Sequence, residues 1–222
     1  MRCFGMIARR RMILVPLAML ACIAMEGRAA AAEKHPLWEA CRAALDINSA
    51  MTVEKLTDAI DSGRLRGAAL AAAYENRGCI AESQARDADA LADYSKVIVL
   101  EPNDAEAYFL RGRTYGNGFH YAQAIAGYDA ALGLAPDDAE TYYRRGHAHE
   151  EGRHDHAAAI SDYTASLRLD PDNPAVYHMR AIALDNAGRK AEAAADRAAE
   201  KKLVAALPAS VRFAKRQAGE WE

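Results

Sequence analysis

The chain has 222 residues, 51% of them hydrophobic by type and 27% charged, with 28 Lys and Arg against 31 Asp and Glu. A balance on the acidic side argues against nucleic acid, whose phosphates need a basic face, and gives no reason for adsorption to an anionic membrane. No long Gly/Ser linker or low-complexity block interrupts the chain, so one domain is expected after its leader.

The first 32 residues read as that leader. Arg2 and the run Arg9, Arg10, Arg11 precede an apolar stretch from Met12 to Met25, and Ala29 to Ala32 offer small residues for cleavage. This is the pattern of a secretory signal peptide, too short for a spanning helix. Cleavage after about Ala32 is expected, giving a periplasmic or secreted protein. A lipid anchor on Cys22 and the twin-arginine route are the weaker alternatives. The remaining 190 residues carry 23 basic and 30 acidic side chains, a net charge of −7. Cys41 and Cys79 are then the remaining cysteines in an oxidising compartment, either as one disulfide or as two buried thiols.

Residues 33–70 read as a helical cap. Leu37, Trp38, Cys41 and Leu45 share one side of a short helix; Val53, Leu56 and Ile60 mark a second, opened by Thr52 and closed by Ser62-Gly63. The second helix would cover the open end of the helical stack that begins at residue 71.

From residue 71 the sequence repeats. Tyr, then Arg and a small residue three and four places on, recurs as Tyr74/Arg77/Gly78, Tyr108/Arg111/Gly112, Tyr142/Arg145/Gly146 and Tyr177/Arg180/Ala181. A second aromatic keeps register at Tyr94, Tyr128 and Tyr163, and a closing proline at Pro102, Pro136 and Pro171. Inside 105–138, Tyr108, Arg111, Gly112 and Tyr115 mark one helical face, and Ala124, Ile125, Tyr128, Ala131 and Leu132 another. Gly116-Asn117-Gly118 is the expected turn between them, and Pro136-Asp137-Asp138 closes the unit and caps the next. The small residue is expected to let the second helix cross close to the first. Pro208 opens a last helix over 208–222 through Val211, Phe213 and Ala214.

With this period and these residues the chain resembles the tetratricopeptide repeat (TPR) family. The matching residues are the opening tyrosines, the small residue four places on, the Ala starting each second helix (Ala90, Ala124, Ala158, Ala193), the middle aromatic and the closing Pro. The resemblance implies an all-α, right-handed superhelical solenoid of four helix-turn-helix repeats, at 71–104, 105–138, 139–173 and 174–207, between N- and C-terminal capping helices. The third unit has one extra residue in its turn. The fourth has Arg197 in place of the middle aromatic and no closing Pro, as suits a terminal repeat.

The resemblance also implies a function: a non-catalytic protein-interaction module whose first helices line a concave groove for an extended peptide or a helix. Exported bacterial members often act as envelope adaptors. The groove positions here are Ala72, Glu75, Cys79 and Glu82; Glu106, Phe109, Arg113 and Gly116; Glu140, Tyr143, His147 and Glu150; Ala175, His178, Ile182 and Asp185. Phe109, Tyr143 and His178 fall at one place in successive units, which suggests a ladder of exposed rings, and aromatic and Arg anchors dominate binding energy at interfaces. The acidic groove members favour a basic protein or peptide, and Arg113 would meet a carboxylate or carbonyl. Glu75 and Cys79 stand where chaperone-docking members use Lys and Asn, which argues against that role.

The stretch from His147 to His156 holds four of the seven histidines. His147, His154 and His156 are candidate metal ligands, and a metal-binding exported protein is the alternative reading. His147 and His149 point to opposite sides of a helix, however, and His149 takes the place of Tyr115. No nucleophile with a positioned base and no phosphate-binding glycine loop is present, so neither catalysis nor a cofactor is expected.

Overall fold

The computed structural model describes residues 49–206, with side chains from Val53 onward. The leader, the first cap helix with Cys41 and the helix expected over 208–222 lie outside the described residues. Nine helices are described: α1 Ser49–Asp61, α2 Gly67–Ser83, α3 Asp87–Leu100, α4 Ala105–Asn117, α5 Tyr121–Leu134, α6 Ala139–Arg153, α7 His156–Leu169, α8 Pro174–Asn186 and α9 Lys190–Ala206. Among the described residues there is no strand, and no helix is long and apolar enough to cross a membrane.

Short connections pair α2 with α3, α4 with α5, α6 with α7 and α8 with α9, and each pair packs on the next. The caps come from the segment closing the preceding unit. The Asp104 carboxylate accepts from the Glu106 and Ala107 amides, Asp138 accepts from Glu140, and the Asn173 side chain accepts from Ala175 with Pro174 at the first helical position. The helix α1 begins before Thr52, which lies inside it rather than capping it, and the turn after Asp61 holds Gly63 at φ +62°. It packs against α2 as a preceding second helix would, and Thr57 Oγ1 accepts from Arg77 Nη1 at 3.1 Å.

The small residue of each first helix meets the middle aromatic of its own unit. A Cβ added at Gly78 would lie 2.9 Å from the Tyr94 ring, at Gly112 3.0 Å from Tyr128, and at Gly146 2.9 Å from Tyr163. These rings, with Ala90, Ala124, Ala159 and Ala193, fill the core. In the third unit Ala159, and not Ala158, takes the buried place, because the extra residue precedes it.

The turns sit later than Gly116-Asn117-Gly118 suggests, since α4 runs through Asn117 and the left-handed residue is Phe119. Ala85, His154 and Gly188 hold the corresponding φ near +55°, +50° and +77°. A left-handed conformation costs a side chain about 1–2 kcal/mol, and Phe119 is 76% exposed, with only an edge contact to Tyr121 at 6.3 Å to offset it. Phe119→Gly is therefore expected to stabilise the protein by about 0.5–1 kcal/mol in urea denaturation; a loss would show that the ring contributes more than the strain costs.

One recurrent tie escaped the sequence pattern. The Arg of the opening motif forks onto an Asp just before the middle aromatic: Arg77 on Asp93 (2.8 and 2.7 Å), Arg145 on Asp162 (2.9 and 2.7 Å), Arg180 on Asp196 (2.8 and 2.7 Å). Its free nitrogen reaches the preceding helix, at Thr57, Asp129 and Thr164. The same guanidinium lies over the opening Tyr at 5.5–5.7 Å. This tie holds the fourth unit together although Arg197 replaces its aromatic; Arg197 itself pairs with Asp185.

Candidate functional site: the inner face of the first helices

The four groove positions recur along α2, α4, α6 and α8, and two of them border the glycine contact with the second helix, since Phe109 lies on the Tyr128 ring that Gly112 also meets and Gly116 approaches its hydroxyl. Their environments differ from unit to unit. Glu75 is mostly buried, and burial first, then the neighbouring Asp104, Glu106 and Glu101, push its carboxyl up to about 8. Cys79 is disulfide-bonded and buried, with the Tyr94 hydroxyl 3.5 Å from its Sγ. The candidate pairing with Cys41 involves a residue outside those described.

The raised Glu75 pKa carries a sign. Between about 4.5 and 8 the folded state keeps a proton that the unfolded chain releases, so this group contributes stability below that window and loses it as pH rises through it. Glu75→Gln is expected to be more stable than the parent at pH 9 and nearly equal to it at pH 4. Parallel thermal melts check this, and equal gaps at both pH values would refute it.

Phe109 is not an exposed anchor. It is 4% exposed, its ring 6.0 Å from that of Tyr128. Tyr143 is half-buried and lies in the same way on Tyr163, at 6.0 Å. Each ring thus packs onto the middle aromatic of its own unit instead of forming a ladder. In the fourth unit, where Arg197 replaces that aromatic, His178 stays exposed and its Nδ1 lies 3.1 Å from Glu200.

Arg113 is likewise engaged within the chain. It forks onto Glu82 of the preceding unit at 3.1 and 2.7 Å, and Glu82 also accepts from Tyr94 (3.1 Å) and Asn117 (3.3 Å). Two units on, Glu150 occupies the Glu82 place and accepts from Asn186 at 2.6 Å. These ties join units one and two, and three and four; Gly116 leaves the second unit without a side chain at that place. Glu140 is paired with Arg144 at 2.6 Å, and Arg144 lies over the Tyr143 ring. Glu106 and His147 are half-buried on the same face, and burial lowers the His147 pKa.

The candidate metal residues are not brought together. His147 lies on the inner face of α6, His154 is the left-handed residue of the next turn, and His156 Nδ1 lies 2.9 Å from Glu150. His149 is half-buried beside Asp162 at 4.0 Å. Among the described residues no three His, Cys, Asp or Glu side chains form a metal-binding group.

Helix pairs stacked in constant register define an α-solenoid repeat protein. Family models described as tetratricopeptide repeat match residues 105–138, 139–173 and 162–195, so the chain carries tetratricopeptide repeats over 105–195. Among solved structures it is similar to MamA from Desulfovibrio magneticus RS-1 (19% identity, 78% of this chain and 97% of that one, TM-score 0.66) and to a second MamA crystal structure (21%, 74% and 92%, TM-score 0.60). It is also similar to the first TPR of Spaghetti (RPAP3) bound to the HSP90 peptide SRMEEVD (21%, 53% and 93%, TM-score 0.52). At these identities the likeness shows the fold. No curated protein matches the chain.

Proposed function

We propose that the chain is a non-catalytic protein-interaction module that receives an extended peptide or a helix of a partner on its inner face, as an exported adaptor of the bacterial envelope. The observation that carries the reading is the inner face of units three and four. Tyr143, His147 and Ile182 are half-buried there and His178 is exposed, so aromatic, imidazole and aliphatic groups face outward on one continuous strip. Such groups supply contact area at modest ordering cost. The acidic members Glu106 and Glu140, with Asp185 at the far end, favour a partner with basic side chains. The structure of RPAP3 with its peptide supports the mode of binding by analogy, and the leader pattern supports export.

The test is affinity capture from an envelope fraction with the mature protein and with a variant carrying His147→Glu and Ile182→Arg. Both sites are half-buried, so the variant's helicity and melting are checked first. Proteins held by the parent and lost by a folded variant establish the reading. Identical captures by both place the interaction elsewhere on the solenoid, and transition metal bound at one equivalent in place of any protein would favour the histidine alternative.

A further inference from the structure

One arginine of the recurrent row lacks its carboxylate. In units one, three and four the opening-motif guanidinium forks onto an Asp 16 or 17 residues further on, at 2.7–2.9 Å. In unit two that place, counted from Arg111, is Gly127. Arg111 is nevertheless held in the same pose, its guanidinium 5.6 Å from the centre of the Tyr108 ring against 5.5, 5.5 and 5.7 Å in the other units. It is half-buried, and among the described residues no hydrogen bond or ion pair reaches it. A guanidinium fixed over a ring with its donors unspent is preorganised for a carboxylate.

The accessible side of such a fork faces outward. Arg145 Nη1 donates to Asp129, 16 residues before it, and that carboxylate side chain is 57% exposed; Arg180 Nη1 donates to Thr164 in the same place. Before Arg111 the place belongs to Ser95, which is shorter and turns its hydroxyl onto the Leu91 carbonyl at 2.7 Å. Between α7 and α8 the same outer position opens as a cavity of about 530 Å³, lined by Ser161, Thr164, Arg168, Tyr177 and Arg180 among others. Where that cavity has Arg168, the α3 face beside Arg111 has Val99, 76% exposed and one turn beyond Ser95.

We infer that Arg111 anchors a second docking site, on the outer face between α3 and α4, for an acidic side chain of a partner protein whose neighbouring aliphatic residue lies on Val99. This goes beyond the inner-face reading and does not rest on it. Charge complementarity selects the occupant, since the fork that three sister arginines make within the chain is left for an outside carboxylate here, and exposed Lys96 adds a second positive charge at the rim. Entry is from the outside, at the place Asp129 takes on Arg145. The inner place is closed by backbone, because Gly127 lies so near α4 that a Cβ on it would be 2.8 Å from Gly112 Cα.

The test follows the Arg111 Nε–H resonance of the nitrogen-15-labelled full mature chain, assigned by its loss in Arg111→Lys. The probe is the capped peptide acetyl-Leu-Glu-Val-Glu-amide, with acetyl-Leu-Gln-Val-Gln-amide as the control. A saturable shift is expected with the acidic peptide, half-complete at about 1 mM, and binding of the control is expected to be roughly ten-fold weaker or less. Ser95→Asp supplies the chain's own carboxylate at the open place and is expected to weaken the acidic peptide roughly ten-fold in a protein whose circular dichroism is unchanged. Should that variant fail to fold, Arg111→Gln gives the same readout through the Val99 amide. No Arg111 shift, equal shifts with the two peptides, or undiminished binding by a folded variant overturns the inference. A dimer in sedimentation that Arg111→Gln abolishes would put a second copy on the site and overturn the choice of occupant. Capture by the inner face succeeds or fails independently of these readouts.

Discussion

Asp162→Ala is expected to lower the stability of the solenoid by about 3 kcal/mol, because it strips a buried fork of its acceptor. Asp162 is 5% exposed and takes two hydrogen bonds from Arg145, at 2.9 and 2.7 Å. Without it the guanidinium keeps only Asp129, at 2.7 Å on the outside, and the buried end of the fork faces a void in place of a carboxylate. Asp129→Ala is the control. That side chain is 57% exposed, so its ion pair is screened and its loss should cost less than about 1 kcal/mol. Urea denaturation of the two variants separates the cases, and an Asp162→Ala loss no larger than that of Asp129→Ala would show that the fork does not hold the helix pair.

The second large effect is expected from a single methyl group. Gly127 stands in the second unit where the others have the forked Asp, and a Cβ there would lie 2.8 Å from Gly112 Cα and 3.1 Å from both Gly112 N and the Tyr108 carbonyl oxygen. All three are backbone atoms, so relief requires α4 and α5 to separate. Gly127→Ala gains about 1 kcal/mol of helix propensity and loses more to the forced separation, for a net loss of roughly 1–3 kcal/mol. Gly133 tests the sign. It lies in the same helix with nothing within 4 Å of an added Cβ, so Gly133→Ala should stabilise by the propensity gain alone. If both substitutions stabilise, the approach of α4 to α5 is not rigid.

The parts of this structure visible in the sequence are those set by packing that must recur in every unit. The small residue at 78, 112, 146 and 181 and the rings at 94, 128 and 163 repeat because each meets the other, so the period carries their contact directly. The Arg–Asp fork was equally periodic, with Asp93, Asp162 and Asp196 each one residue before the middle position. It escaped because Asp there reads as a solvated face until its Arg partner is known to share the same gap. Exposure was the least legible property. Phe109 looks like an anchor by position, but burial depends on what lies across a helix, and no spacing within one unit carries that. The turn was misplaced because glycine marks turns by rule, whereas here Ala85, Phe119 and His154 adopt the left-handed conformation and Gly116 stays helical.

The ties from Glu82 to Arg113 and Asn117, and from Glu150 to Asn186, fall on alternate junctions of the stack. At the junction between units two and three, Gly116 offers no side chain for such a tie, and the Arg145–Asp129 bridge lies on the outer side. Packing closes that junction instead: Ala148 of α6 joins the core of the first two units beside Tyr115 and Tyr121, and a Cβ added at Gly152 would lie 2.3 Å from Tyr121. Spin labels placed across this junction should therefore give a distance distribution no broader than labels across either of the other two.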